Sequence, residues 1–332
     1  MKANNMKLKI AIIIVMLSSL PFYVTAQTSS IPAAFVDVGY GARPVAMGGA
    51  YSGLADDINA LFWNPAGLNH LKDKEASFTT ANLLGIVRYN VFAFGMPLKF
   101  GEAEQGGGIA LVSSGDDALR ELTLLAGYSR RVLGLDVGLN LKYRYASFGK
   151  NSLDRNEGVV FSDAEFADGQ LNQVHGSANG FGLDIGILYQ LNEKIRCGLM
   201  VRDLFSPVSW NSAVDNPAAK SKGKYTENVP TEIVIGTSYK VFEELLVTAD
   251  YQPSLSKDVS NMIRGGAELI LFKHLFVRAG LQDIVNDQPD EKYVFGLGLQ
   301  INVGKGSGIS FDYSYVIEQL DNSNRLSVGL TF

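Results

Sequence analysis

The chain is short of the residues that most often carry chemistry. Its 332 residues include three His and one Cys. A single Cys excludes an intramolecular disulfide framework. His70, His175 and His274 are scattered without metal-ligand spacing. No nucleophile elbow is present, and the Gly clusters at 106–108 and 304–308 lack the strand–loop–helix context of a phosphate loop. No catalytic residue, cofactor or metal is therefore expected. Basic excess is also missing: the net charge is −5, which leaves no electrostatic footprint for nucleic acid. Beyond the first 26 residues no apolar run approaches 18, so no transmembrane helix is expected. A mean hydropathy of +0.07 is typical neither of a helical membrane protein nor of a very polar soluble one.

What is present lies first at the two ends. Lys2, Lys7 and Lys9 precede an apolar run from Ile10 to Leu20, followed by Pro21 and by Val24-Thr25-Ala26 before Gln27. A basic region, a short apolar region and small residues at a cleavage point make a signal peptide over 1–26. At the other end Leu326, Val328, Leu330 and Phe332 alternate with Ser327, Gly329 and Thr331. An aromatic end on an amphipathic strand is a liability in water, because edges pair and chain ends fray. A closed barrel in lipid removes both problems. A terminal Phe on such a strand resembles the signal by which bacterial outer-membrane barrels are recognised for assembly, and that resemblance implies Phe332 as the assembly signal and a barrel-assembly machinery as its reader.

Period-2 alternation fills the region between. Leu135, Val137, Leu139, Leu141 and Tyr143 alternate with Asp136, Gly138, Asn140 and Lys142; Tyr293 to Val303 and Ile309 to Tyr315 repeat the pattern. The runs match tilted membrane crossings in length. Fourteen strands are expected, near 73–82, 87–98, 107–114, 118–130, 133–148, 178–190, 194–206, 229–240, 243–253, 261–272, 274–283, 291–303, 307–318 and 323–332. Tight connections, such as Arg131-Val132, Val241-Phe242 and Lys273, fall on the terminus side. Longer polar ones, at 149–177 and 207–228, fall on the other. Short periplasmic turns and longer outer loops are the asymmetry of an outer-membrane barrel. Tyrosines on the apolar phase, including Tyr189, Tyr239, Tyr251 and Tyr293, suit the headgroup level. The acidic residues Asp154, Glu157, Asp163, Glu165 and Asp168 lack the order of a calcium loop and read as a solvated loop.

Residues 31–72 do not alternate. They are too apolar for a disordered tail and too few to fold alone. Asp56 to Trp63 suit a short helix ending at Asn64-Pro65. The order Gly41-Ala42-Arg43, Ala46-Met47-Gly48-Gly49-Ala50, Ala55-Asp56-Asp57 and Asn64-Pro65-Ala66-Gly67 resembles the N-terminus of PorV/PorQ-type outer-membrane proteins, within the FadL-like group of long-chain fatty-acid transporters. The FadL-like resemblance implies a plugged barrel admitting hydrophobic molecules. The PorV/PorQ resemblance implies work in type IX secretion, on exported proteins and their surface attachment. The expectation is all-β: a 14-stranded antiparallel transmembrane barrel (73–332) with an N-terminal plug (27–72) behind the signal peptide, in the outer membrane of a Gram-negative-type bacterium. Outer-membrane lipid is an expected partner.

The inward phase carries Lys142, Arg144, Arg196, Arg202, Arg264 and Arg278 against Asp136, Asp184, Asp250, Glu268 and Asp312. Balanced signs suit pairs across the lumen or to the plug better than an ion-selective constriction. Arg43 is a candidate to meet Asp184, Asp250, Glu268 or Asp312. Inward glycines leave room for a plug backbone, and Leu188, Met200, Ile270, Phe272 and Phe276 are expected to line the lumen too. Two functional readings stand: a plugged channel for small hydrophobic molecules, and a non-enzymatic barrel serving a type IX-like secretion system through protein partners. Deleting Phe332, or Phe332→Asp, is expected to lower outer-membrane levels on fractionation. Unchanged levels would show that this end is not read during assembly.

Overall fold

The computed structural model describes residues 39–83, 87–100, 103–116, 118–149, 174–214, 222–255, 261–285, 291–304, 306–319 and 322–332. The expected signal peptide, residues 27–38 and most of the acidic loop lie outside the described residues. Sixteen strands form one antiparallel sheet. They are β1 (Glu75–Leu83), β2 (Val87–Leu98), β3 (Gln105–Gly115), β4 (Leu119–Val132), β5 (Leu135–Phe148), β6 (Val174–Gln190), β7 (Ile195–Phe205), β8 (Pro207–Val214), β9 (Lys222–Asn228), β10 (Glu232–Phe242), β11 (Leu245–Gln252), β12 (Asn261–Leu271), β13 (Leu275–Val285), β14 (Lys292–Gly304), β15 (Ser307–Ile317) and β16 (Ser323–Thr331).

Neighbours in sequence pair from β1 to β7 and from β10 to β16; β7 meets β10, and β16 returns to β1 with Phe78 opposite Val328. Fourteen strands thus close a barrel. Closure leaves these strands no free edge, which is what a spanning sheet in hydrocarbon needs. The phase is inside-out relative to a soluble protein. Phe92, Leu124, Leu141, Phe181, Phe295 and Phe311 are exposed on one face, whereas Asp184, Glu268 and Arg278 are buried on the other. So continuous an apolar outer surface is stable only against lipid. Among the described residues no helix is long and apolar enough to cross a membrane.

The remaining pair corrects the expected loop at 207–228, which is the hairpin β8–β9 laid along β6. The first half of β6 pairs with β8, with Ala178 opposite Trp210; the second half pairs with β7, with Ile187 opposite Leu199. The hairpin holds because Val208 and Trp210 bury a small cluster with Ala146 and Ala178, flanked by Phe148 and Tyr225. The Trp210 indole donates to Glu227 at 2.7 Å. β7 leaves the barrel wall through a bulge. Leu183 faces Phe205 but Ile185 faces Val201, so two extra residues bulge out on β7. Asp203 sits there at φ 53°, and its amide donates to Asp184 Oδ1 at 2.9 Å.

Three turns also differ from expectation. Val132 and Phe242 continue their strands, opposite Leu135 and Leu245. The turns are therefore Leu133-Gly134 and Glu243-Glu244. Phe272, expected in the lumen, stands exposed in the turn Phe272-Lys273. Leu141 sits mid-strand on the outer face, so Leu141→Arg should cost roughly 2–4 kcal/mol, as charges at the bilayer midplane do. Urea titration in lipid vesicles measures it, and a cost near zero would contradict the lipid-facing phase.

Candidate functional site

The N-terminal segment Gly39 to Leu71 is short-range in structure and long-range in contact. It contains α1 (Ala42–Ala46), α2 (Ala60–Trp63) and a 3-10 helix (Pro65–His70). The helix expected from Asp56 forms only from Ala60, because Asp57 Oδ1 instead accepts the Asn59 amide at 2.9 Å and holds a turn. Pro65 does not end the helical path but starts its 3-10 portion, a position where its missing N–H costs nothing. The segment has its own core, in which Tyr51, Met47, Leu61 and Leu68 are fully buried.

Arg43 joins this segment to the wall. Nε donates to Glu268 Oε2 at 2.9 Å and Nη2 to Glu268 Oε1 at 3.1 Å, a two-pronged pair across to β12. Nη1 donates to Asp56 at 2.7 Å, to Asp57 at 3.0 Å and to the Tyr51 hydroxyl at 2.8 Å. Glu268 in turn takes Arg278 Nε at 2.6 Å, and Arg278 Nη1 reaches Asp312 at 2.6 Å. Of the four candidate carboxylates for Arg43, the partner is Glu268. Burial alone would lower the Arg43 guanidinium; Asp56 and Glu268 outweigh it and hold it above its ordinary value. Burial pushes the Tyr51 hydroxyl well up, so it stays protonated and donates to Asp57 at 2.9 Å.

Gly48 and Gly49 take φ of 65° and 74°, which turn the chain under the wall. A Cβ on Gly48 would lie 2.6 Å from the Leu281 carbonyl oxygen. Past Ala50, the amides of Tyr51 and Ser52 donate to Asp250 Oδ2 at 3.0 and 2.9 Å. Asn64 is wholly buried. Its Nδ2 donates to Ser52 O at 2.8 Å and Ile187 O at 3.2 Å, and its Oδ1 accepts the Ala66 amide at 3.1 Å. Gly67 lies so close to Ala55 that a Cβ would strike its carbonyl.

The remaining inward charges divide into those that hold the segment and those that hold the wall. Arg196 Nη1 donates to Leu54 O at 2.7 Å, and Arg202 Nη2 to Phe62 O at 3.3 Å. Asp184 meets Lys142 at 2.7 Å, and Arg144 reaches Asp203 at 2.8 Å, so these four fix the bulge of β7. Arg264 donates to Gln252 at 2.8 Å, within the wall. Phe332 pairs through its backbone with Lys74, at 2.9 and 3.1 Å.

Two residues were not singled out from the sequence. Asn140 donates to Leu61 O at 2.6 Å, and Glu75 accepts the Ile58 amide at 2.9 Å. Asn140 lies on the inward phase, which was its available signal. Asp136, expected there as an inward charge, takes Asn69 at 2.7 Å with His70 at 2.9 Å. A cavity of about 230 Å³ remains between the segment and β1 and β13–β16, bordered by Arg43, Asp57, Glu75, Phe276, Arg278 and Asp312.

Known structures share this architecture. A monoaromatic hydrocarbon channel, CymD, superposes with a TM-score of 0.59 at 14% identity, over 90% of this chain and 98% of that one. A Pseudomonas aeruginosa FadL homologue gives 0.58 at 10% identity, over 85% and 95%. The Ralstonia pickettii toluene transporter TbuX gives 0.55 at 17% identity, over 90% and 98%. These likenesses show that the barrel fold is shared with these proteins. No curated protein sequence matches the chain. The family model for the type IX secretion system membrane protein PorP/SprF matches residues 59–332. By that match, which takes in the entire barrel, the chain belongs to the PorP/SprF family of type IX secretion system membrane proteins.

Proposed function

We propose that the protein is a non-enzymatic component of a type IX-like secretion and attachment system in the outer membrane. On this reading the N-terminal segment is a fixed plug, and the barrel acts through protein partners at its two rims. One observation carries the reading. A Cβ added to Gly106, Gly138, Gly198, Gly266 or Gly280 would strike the backbone of the segment. These glycines lie on β3, β5, β7, β12 and β13, on different sides of the barrel. Backbone at van der Waals contact along β3, β5, β7, β12 and β13 leaves no width for a solute on those sides.

The plug motif Arg43, Gly48, Gly49, Asp56, Asp57, Asn64, Pro65, Ala66 and Gly67 then serves as the lock. Arg43 and Asn64 of the motif are met by Glu268 and the Ile187 carbonyl of the wall, so release would strand buried polar groups. The finer kinship to PorV/PorQ-type proteins is supported by the motifs at 41–67, of which only 59–67 lie inside the matched family region. The terminus-side rim is assigned to the periplasm, by the turn asymmetry, and lipid to the apolar outer face.

A second reading has its own support. The FadL-like fold is shared with channels for monoaromatic hydrocarbons and toluene, so the barrel would pass small hydrophobic molecules if the segment moved. Hydrophobic-probe uptake and single-channel conductance separate the two. The wild type is expected to be closed. Gly138→Val is expected to form the barrel but displace the segment and open a conductance, and the double variant Asn64→Ala with Pro65→Ala to raise leakage less. Probe uptake by the wild type at the rate of Gly138→Val would overturn the sealed reading in favour of the channel. Arg43→Met, which leaves Glu268, Asp56 and Asp57 short of a cation, should cost roughly 3–5 kcal/mol of stability. Denaturant titration checks that, and a loss below about 1 kcal/mol would remove Arg43 from the lock.

A further inference from the structure

The terminus-side rim is unlike ordinary turn tips. Such tips are normally polar and tolerant. Here Phe100, Leu133, Leu191 and Phe272 stand exposed in four connections of that rim, and Phe242 stands exposed at the last residue of β10. Phe272 is 88% exposed and Leu133 74%, more than any residue of the lipid-facing strand centres. The backbone makes these two choices odder. Leu133-Gly134 has φ of 52° and 80°, and Phe272-Lys273 has 52° and 66°, with His274 N bonded to Leu271 O at 3.2 Å. The first is a two-residue hairpin turn of the type that wants Asn-Gly, and the second a three-residue connection between Leu271 and Leu275 whose first two residues have the same positive φ. A bulky apolar residue at φ above zero is strained. The turns do not favour Leu or Phe, and water does not either.

Lipid does not account for these tips. Tyr128, Tyr189 and Tyr239 lie on the outward phase near the same ends of β4, β6 and β10 and mark the headgroup level. Leu133, Leu191 and Phe242 follow them by five, two and three residues, which is roughly 7–17 Å further along the strands at ~3.3 Å per residue. Leu133, Leu191 and Phe242 therefore reach past the aromatic belt, into the periplasm on the topology proposed above.

The cavity beside them supplies a second signature. It lies at the terminus-side ends of β1, β13, β15 and β16, next to the Phe272 turn through Phe276 and Arg278 of the same hairpin. Asp57, Glu75 and Asp312 border it, with Asp56 and Glu268 directly behind; against these five carboxylates stand the guanidiniums of Arg43 and Arg278. The carboxyl groups outnumber the guanidiniums by five to two. About 230 Å³ admits the end of one long side chain.

We propose that the terminus-side rim is the docking surface for a periplasmic protein, which seats an apolar patch on the tips Leu133, Leu191, Phe242 and Phe272 and puts a Lys or Arg side chain into the acidic cavity. The proposal deepens the interaction reading given above. Its failure leaves the sealed lumen untouched, because permeability tests that separately.

Two variants make the test clean. Leu133→Asn and Phe272→Asn place at each turn a residue that tolerates positive φ, so both should fold at least as well as the wild type. In nanodiscs containing brominated lipid, Trp fluorescence at Leu141→Trp should be quenched and at Phe272→Trp should not. Equal quenching at both would assign the tips to lipid and overturn the proposal. In producing cells, a photo-crosslinking residue at 133 and at 272 should capture the same protein, and one at 141 should not. That protein, purified, should bind the full chain in nanodiscs. Leu133→Asn with Phe272→Asn should weaken binding at least tenfold, as should Glu75→Gln alone. No common crosslink, or binding indifferent to both changes, would refute the docking surface.

Discussion

The Arg43 guanidinium is where the N-terminal segment and the barrel wall become one body. Two of its nitrogens hold Glu268 on β12, and the third holds Asp56, Asp57 and the Tyr51 hydroxyl of its own segment. A charge withdrawn from water is stable only among opposite charges and hydrogen bonds, and breaking one such contact strands the rest. The same constraint recurs along the segment. Asp250 takes two consecutive amides, Arg196 and Arg202 take carbonyls of Leu54 and Phe62, and Asp136 takes Asn69. Each link crosses from wall to segment. Removing the segment would expose all of these partners at once.

The barrel itself was legible in the sequence for a simple reason. A wall with lipid on one side and packed polar groups on the other writes period 2 over 9 or more residues, and thirteen of sixteen strands have that length. Edges were harder to read. Val132 and Phe242 were taken for turn residues, yet an apolar residue at a strand end is equally at home paired, opposite Leu135 and Leu245. The hairpin β8–β9 was missed because only Val208 and Trp210 of its first strand are buried apolar residues, too short a run against Pro207 and the polar residues around it. Phe272 was put in the lumen by extrapolating phase through a turn that breaks it.

Contacts across the lumen were the least legible part. Inward glycines such as Gly138, Gly198 and Gly266 announce a close approach of something, but which backbone approaches depends on strand stagger around the whole barrel. Arg43 had four candidate carboxylates, and only the closed register brings Glu268 to it. Asn140 looked like any inward polar residue between Leu139 and Leu141; its bond to Leu61 O is set by where α2 happens to lie. The motifs at 41–67 carried the resemblance to PorV/PorQ-type proteins, and the match that shows the family, to PorP/SprF, begins at residue 59 and extends over the barrel.

The central claim is that residues 39–71 are a permanent part of the barrel interior and not a moving gate. Amide hydrogen exchange of the full chain in nanodiscs tests this most directly. The amides of Tyr51, Ser52 and Ala66, which bond to Asp250 and Asn64, should exchange as slowly as those at the centres of β5 and β12, since on this account they open only when the barrel does. Exchange of these amides orders of magnitude faster than the strand centres would contradict it, and would make the segment a gate.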